Sequence, residues 1–231
     1  MKTIGILGGM SWESTALYYR MLNEGVKTRL GGLHSAKIAM ISVNFQEVEK
    51  LQAENRWDEA GELLAEAGTN LQAAGADFLL IATNTMHMVA PAVEQKSGLP
   101  LLHIADATGE RIKGMGLSRV ALLGTAYTME KEFYRGRLID KYDLEVLTPD
   151  AADRADIHRI IYEELCLGSV REASRQVYLH IVEKLRTQGA EAIILGCTEI
   201  GMLISDEHTD LPLLDTTAIH AETAVDYALS D

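Results

Sequence analysis

Cys197 stands in Gly196-Cys197-Thr198-Glu199, directly after the apolar run Ala192–Leu195 and ahead of a helix-like segment. A thiol at a helix N-terminus is expected to ionise more readily, because backbone N–H groups stabilise the thiolate. As a thiolate it could act as a base or a nucleophile, whereas the blander reading is a small buried hydrophobe. Polar Thr198 and Glu199 beside it favour chemistry. Cys166 lies in Ile160–Leu167, where helical apolar spacing points to a structural role. Thr83-Asn84-Thr85 follows a second apolar run, Phe78–Ala82. Backbone N–H groups and short polar side chains at a helix start suit a carboxylate, and Thr198 offers matching donors. The same residues are also good N-caps, and both roles can hold at once.

Gly8-Gly9-Met10-Ser11 follows a third run, Ile4–Leu7, and its glycines would let backbone approach a ligand closely. The run is not G-x-G-x-x-G, no G-K-[ST] occurs, and no acidic residue ends the second strand, so a dinucleotide is not expected. Histidines 34, 87, 103, 158, 180, 208 and 220 show no H-E-x-x-H or clustered Cys/His spacing. No metal is therefore predicted.

These residues must be positioned by alternating elements. Strands are expected at Thr3–Leu7, Ala36–Val43, Phe78–Ala82, Leu101–Ile104, Arg119–Leu123, Glu145–Leu147, Ala192–Leu195 and Leu213–Leu214. Amphipathic helices lie between them, for example Asn55–Ala74 before Gly75 and Val170–Gln188 before Gly189. Strands that are continuously apolar are buried on both faces, the pattern of parallel α/β folds. An internal repeat adds more. Residues 75–86 align without gaps on 189–200 at an offset of 114, and Leu99–Leu102 on Leu211–Leu214 at 112. Ile4–Gly8 resembles Val120–Gly124 at 116, which puts Thr125 just beyond the equivalent strand. Three matches in one order favour a duplicated half-domain.

The expected architecture is α/β: two similar lobes, each a short parallel sheet flanked by helices, related by pseudo-twofold symmetry. The first lobe takes residues 1–105 plus 215–231 and the second 106–214. Ligands of open parallel sheets sit beyond the carboxyl ends of strands. Thr83 and Cys197 would then stand at equivalent positions, on opposite walls of a cleft between the lobes.

The 231 residues carry 47% hydrophobic and 24% charged side chains, an ordinary composition for a water-soluble protein with a sizeable core. Lys and Arg number 21 against 34 Asp and Glu, a net charge of −13 that repels phosphate backbones and argues against nucleic acid. Two cysteines are too few for a disulfide-stapled secreted domain. The apolar N-terminal run is too short for a signal peptide or a membrane span, so a cytoplasmic protein is expected.

Ile4-Gly5-Ile6-Leu7-Gly8-Gly9-Met10, Thr83-Asn84-Thr85-Met86-His87 and Gly196-Cys197-Thr198-Glu199 resemble the aspartate/glutamate racemase family, over essentially the whole chain. The resemblance implies a two-lobed isomerase that needs no pyridoxal phosphate or other cofactor, usually a homodimer. It implies a cysteine from each lobe flanking the amino-acid Cα, one taking a proton and the other returning it. The first motif of the family reads Cys-Asn-Thr, whereas this chain has Thr83. A neutral hydroxyl is a far weaker acid than a thiol of pKa about 8.5, and a poorer source of a strong base. A lopsided catalyst is expected, with Cys197 the main base and Thr83 opposite.

Acid-specific relatives also hold the distal carboxylate with an arginine after the second strand and a lysine before the second half. Here the corresponding positions offer Lys50 and Gln52, and Cys166. Gln52 is the expected polar contact, and neutral substrates such as homoserine join aspartate and glutamate. Met10, Ser11, Gln52, Thr83, Asn84, Thr85, Thr125, Thr198 and Glu199 are the expected substrate-binding residues. Two other readings stay open: a single-cysteine decarboxylase or isomerase of small dicarboxylates, and a non-catalytic amino-acid-binding protein.

Overall fold

The run Ile4-Gly5-Ile6-Leu7 has no polar side chain to present to water, so it forms a strand covered on both faces. In a computed structural model describing residues 1–230, it is β1 (Ile4–Gly8), every residue of it buried. The chain divides into two units, one made of Met1–Ile104 and the chain from Thr217 onward, the other of Ala105–Thr216.

The first unit continues with α1 (Trp12–Leu30), β2 (Ile38–Ser42), α2 (Phe45–Ala53), α3 (Trp57–Ala73), β3 (Phe78–Ile81), a 3-10 turn (Thr85–Val89) and α4 (Ala90–Ser97). Its sheet is parallel, in the order β2-β1-β3. Side chains alternate across it. Ile4, Ile6, Phe78 and Leu80 pack with Tyr18, Leu22 and Val26 of α1, whereas Leu7, Leu79 and Ile81 pack with Leu64 and Leu71 of α3 and Val93 of α4. Each such fully buried side chain contributes about 1.5–3 kcal/mol.

The second unit holds α5 (Ile104–Gly114), β4 (Arg119–Gly124), α6 (Ala126–Glu130), α7 (Arg135–Tyr142), β5 (Glu145–Leu147), α8 (Ala151–Glu163), a 3-10 turn (Leu165–Leu167), α9 (Glu172–Thr187), β6 (Ala192–Gly196), α10 (Ile200–Leu203) and β7 (Leu213–Asp215). Its sheet is also parallel, in the order β5-β4-β6-β7. Ile157, Ile160 and Ile161 of α8 and Tyr178, Ile181 and Leu185 of α9 are buried. The last helix, α11 (Thr216–Leu229), returns to the first unit, where Ala224, Val225 and Ala228 join the α1 side of the sheet.

The repeat seen in the sequence is repeated in hydrogen bonds. The Asp77 N–H donates to the Thr3 carbonyl at 2.9 Å, and the Glu191 N–H to that of Arg119 at 2.8 Å. In return, the Asp77 carboxylate accepts from the Thr3 N–H at 2.6 Å and that of Glu191 from the Arg119 N–H at 2.8 Å. Leu79 donates to Pro100 and Ile193 to Pro212, both at 2.9 Å. Gly75 and Gly189, at φ 88° and 95°, follow α3 and α9 by two residues, where a side chain would strain the left-handed turn.

One expected strand is not formed. Leu101 makes a single parallel bridge to Leu79, and Ile104 already opens α5. Beyond that bridge the Leu102 N–H donates to the Leu79 carbonyl, and the Ile104 N–H turns away to the ring of His87. Its counterpart in the second unit, β7, keeps three paired residues.

Candidate active site

Both candidate motifs follow the carboxyl ends of paired central strands. In the first unit β1 and β3 end side by side, Leu7 opposite Ile81, and the last ladder bond runs from the Ala82 N–H to the Leu7 carbonyl at 2.9 Å. Gly9-Met10-Ser11 and Thr83-Asn84-Thr85 emerge there. In the second unit Gly124 lies opposite Gly196, and Thr125 and Cys197 emerge next. A Cβ on Gly196 would come within 2.9 Å of the Leu123 carbonyl oxygen, so the strand that delivers the thiol needs a glycine there.

Ser11 and Thr125 are equivalent at an offset of 114. Each caps its helix from an extended backbone: Ser11 Oγ accepts from the Ser14 N–H and Thr125 Oγ1 from the Thr128 N–H, both at 3.3 Å. The shift from 116 at the strands to 114 at the caps is taken up by Gly9-Met10. Gly9 has φ 91°, and a Cβ there would meet the Val43 carbonyl oxygen at 2.2 Å. Its N–H donates to Thr15 Oγ1 at 2.8 Å, and Thr15 Oγ1 in turn donates to the Ser11 carbonyl at 2.8 Å. Met10 is buried beside them, while Ser11 is half-buried.

Thr83 is half-buried, and Asn84 and Thr85 are buried. Gln52, on α2, is buried as well, with its side-chain amide donating to the Met86 sulfur at 2.9 Å. It thus lies against the turn that follows Thr83-Asn84-Thr85.

Cys197 is 9% exposed. Its Sγ–H donates to Glu199 Oε2 at 3.0 Å, and the Thr198 hydroxyl donates to the same oxygen. Burial first, and then the Glu199 carboxylate, push the thiol well above its ordinary pKa. This reverses the sequence expectation of an eased ionisation. Helix α10 has only four residues and begins three positions on, so its dipole is too small to offset burial and an adjacent anion. Glu199, expected to bind substrate, is engaged with the thiol itself. Cys166 is in the 3-10 turn after α8, which packs against α10.

His87 is a residue to which the sequence reading assigned no role. Its Nδ1 donates to the Thr83 carbonyl at 2.8 Å and its Nε2 accepts from the Ile104 N–H at 3.2 Å. Its ring lies 4.7 Å from that of His103 and 5.6 Å from that of His220. Burial, then His103 and His220, hold it well below its ordinary pKa. Burial likewise lowers His220 to about 4. Helical i, i+4 spacing from Thr83 is the one sequence signal that could have flagged His87. Among the described residues no group of three or more His, Cys, Asp or Glu is arranged to hold a metal, and no helix is long and apolar enough to cross a membrane.

Comparison with known proteins agrees with this frame. The family model for Asp/Glu/Hydantoin racemase matches residues 7–224. A crystal structure from Yersinia pestis, of a protein proposed to be an Asp/Glu racemase, is 55% identical, with a TM-score of 0.95 and 100% of both chains covered. An aspartate racemase homologue from Pyrococcus horikoshii OT3 is 32% identical, with a TM-score of 0.86 and again 100% of both chains covered. The broad specificity amino-acid racemase RacX of Bacillus subtilis is 23% identical over 168 residues, 73% of this chain and 72% of RacX. The two parallel-sheet units, the strand-end motifs and the match along nearly the whole length place this chain in the Asp/Glu/Hydantoin racemase family, a family of racemases and therefore of isomerases.

Proposed function

We propose that this protein is a cofactor-independent amino-acid racemase that works mainly from one side, with Cys197 as the base and Thr83 opposite. The observation that carries the proposal is the pairing of Cys197 Sγ with Glu199 Oε2 at 3.0 Å, at the strand-end position that Thr83 occupies in the duplicated frame. Glu199 takes the thiol proton as the sulfur becomes a thiolate. The thiolate then removes the Cα proton of the L-amino acid, the enantiomer that the second-motif cysteine faces in the family this chain resembles, a step that needs a strong base shielded from bulk water. Cys197 returns a proton to the same face, or a water held by the Thr83 hydroxyl delivers one to the other. The hydroxide so formed takes a proton back from solvent, while Cys197 and Glu199 release their surplus one. The substrate carboxylate is bound by backbone N–H and side-chain donors of Asn84 and Thr85 and by the Thr198 N–H, with Met10, Ser11 and Thr125 lining the site.

The side-chain subsite is built around Gln52, without the basic pair of acid-specific relatives. That favours a broad range of polar amino acids, homoserine included beside aspartate and glutamate. The named activity of RacX supports the same breadth. By resemblance to the family the enzyme works as a homodimer, and its two cysteines, too few for a disulfide-stapled secreted domain, favour the cytoplasm.

The test is a screen of L- and D-amino acids for deuterium incorporation at Cα in heavy water, with malonates and maleate in parallel. Incorporation into amino acids, undiminished by EDTA and a carbonyl reagent, is the expected result. Turnover of malonates or maleate alone would replace the reading with a decarboxylase or an isomerase of dicarboxylates.

A further inference from the structure

The proton transfers proposed above leave unused a buried titratable side chain that touches the Thr83 backbone. His87 has both ring nitrogens committed: Nδ1 donates to the Thr83 carbonyl at 2.8 Å, and Nε2 accepts from the Ile104 N–H at 3.2 Å. A carbonyl can only accept and a backbone N–H can only donate. The neutral ring protonated on Nδ1 is therefore the one form that satisfies both, and an imidazolium would set two donors against each other.

The far end of this bridge is itself fixed. The Leu102 N–H is held by the Leu79 carbonyl at 3.0 Å, and the Leu102 carbonyl accepts from His220 Nε2 at 2.9 Å. His220 Nδ1 in turn accepts from the Tyr18 hydroxyl at 2.9 Å. Residues 102–104 are thus anchored to β3, α11 and, through the His220–Tyr18 bond, α1. Thr83, by contrast, lies one residue past the last ladder bond, so the sheet does not orient its peptide. The equivalent carbonyl of Cys197 is met differently, by the Ile200 N–H of its own turn at 3.2 Å.

We propose that His87 is a positioning residue that fixes the Thr83 backbone, and with it the direction of the Thr83 hydroxyl, for proton delivery to the second face of the substrate. This rests on the role given to Thr83 above. An L-amino acid in heavy water separates two outcomes. Exchange with retention needs Cys197 alone, whereas inversion needs Thr83 as well. Their ratio, read by chiral chromatography with mass detection, does not depend on how much of a variant is folded.

His87→Phe keeps a ring of similar size but no hydrogen bond, and it should lower the inversion-to-retention ratio at least tenfold. His87→Asn places an amide donor where Nδ1 stands, and it should keep the ratio within about threefold of the unmodified protein. An unchanged ratio in His87→Phe, or an equal loss in both variants, overturns the assignment. If His87→Phe yields no folded protein, His87→Gln, whose longer side chain draws the donor away from Thr83, is held to the same tenfold fall. Absence of any exchange in the unmodified protein would instead count against the racemase reading.

Discussion

The two units share a frame and differ in what they present. Asp77 and Glu191 tie off their central strands in the same way, and Ser11 and Thr125 cap the helices that follow with bonds of the same length. At the strand ends the likeness stops. The first unit presents a hydroxyl, Thr83, with its carbonyl held by a buried imidazole. The second presents a thiol, Cys197, with a carboxylate as its hydrogen-bond partner. The two units share this backbone geometry, whereas the thiol and its carboxylate partner belong to the second alone. A proton acceptor beside a thiol raises its pKa and, in the same geometry, gives its proton somewhere to go.

Removing the thiol should break the comparison most severely. Cys197→Ser is expected to lower Cα exchange at least a thousandfold, about 4 kcal/mol of barrier, because a serine hydroxyl is too weak an acid to supply the base. Cys166→Ser should stay within about threefold. Rates measured at matched folded fraction check both, and comparable losses would place the base wrongly.

Acid should weaken the first unit more than the second, because His87 and His220 are fully buried whereas His158 of the second unit, also lowered by burial, is only half-buried. The His220 value of about 4 lies below the ordinary 6.5 or so of the unfolded chain, and His87 is lowered in the same direction. The unfolded chain therefore binds more protons in this window. The stabilisation is complete above about pH 6.5 and is lost as pH falls toward 4, by about 3 kcal/mol for His220 alone. Asp106, in the second unit, is raised by burial, but bonds from Arg137 and Lys141 outweigh this and hold it at about 2. Its contribution is present above pH 4 and disappears only as pH falls toward 2. Hydrogen exchange between pH 7 and 4.5 should show protection lost first in β1, β3 and α11. Earlier loss in β4 and β6 would contradict the assignment of the acid-sensitive cluster.

A smaller change should make the units more alike. Thr83→Cys places a second thiol at the equivalent position and is expected to raise exchange of the D-enantiomer about tenfold, or about 1.4 kcal/mol. No glutamate follows it as Glu199 follows Cys197, so the gain should grow with pH as the new thiol ionises. A pH-independent gain would mean that the new sulfur is not the base.

Much of this frame was legible in the sequence, because continuously apolar strands, the glycines after α3 and α9 and a gapless repeat are local signals. Thr83 and Cys197 could be matched by counting alone. What could not be read depends on contacts made in three dimensions. Leu101–Ile104 has strand composition, but the imidazole of His87, seventeen residues earlier, takes the Ile104 N–H and lets a helix begin. The direction of the Cys197 shift required knowing that α10 is short and that Glu199 folds back onto the sulfur. The role of His87 was hidden for the same reason, since its partners lie in the strand-end loop and at the start of α5.

Deuterium incorporation at Cα from the two enantiomers of one amino acid, followed separately on the unmodified protein, tests the proposed one-sided catalysis most directly. The equilibrium constant between free enantiomers is fixed near one, so asymmetry can show only in the rates. With Cys197 as the sole strong base, the L-enantiomer should take up deuterium at least ten times faster than the D-enantiomer. Equal rates would contradict the account and make Thr83, or a group near it, a second base in its own right.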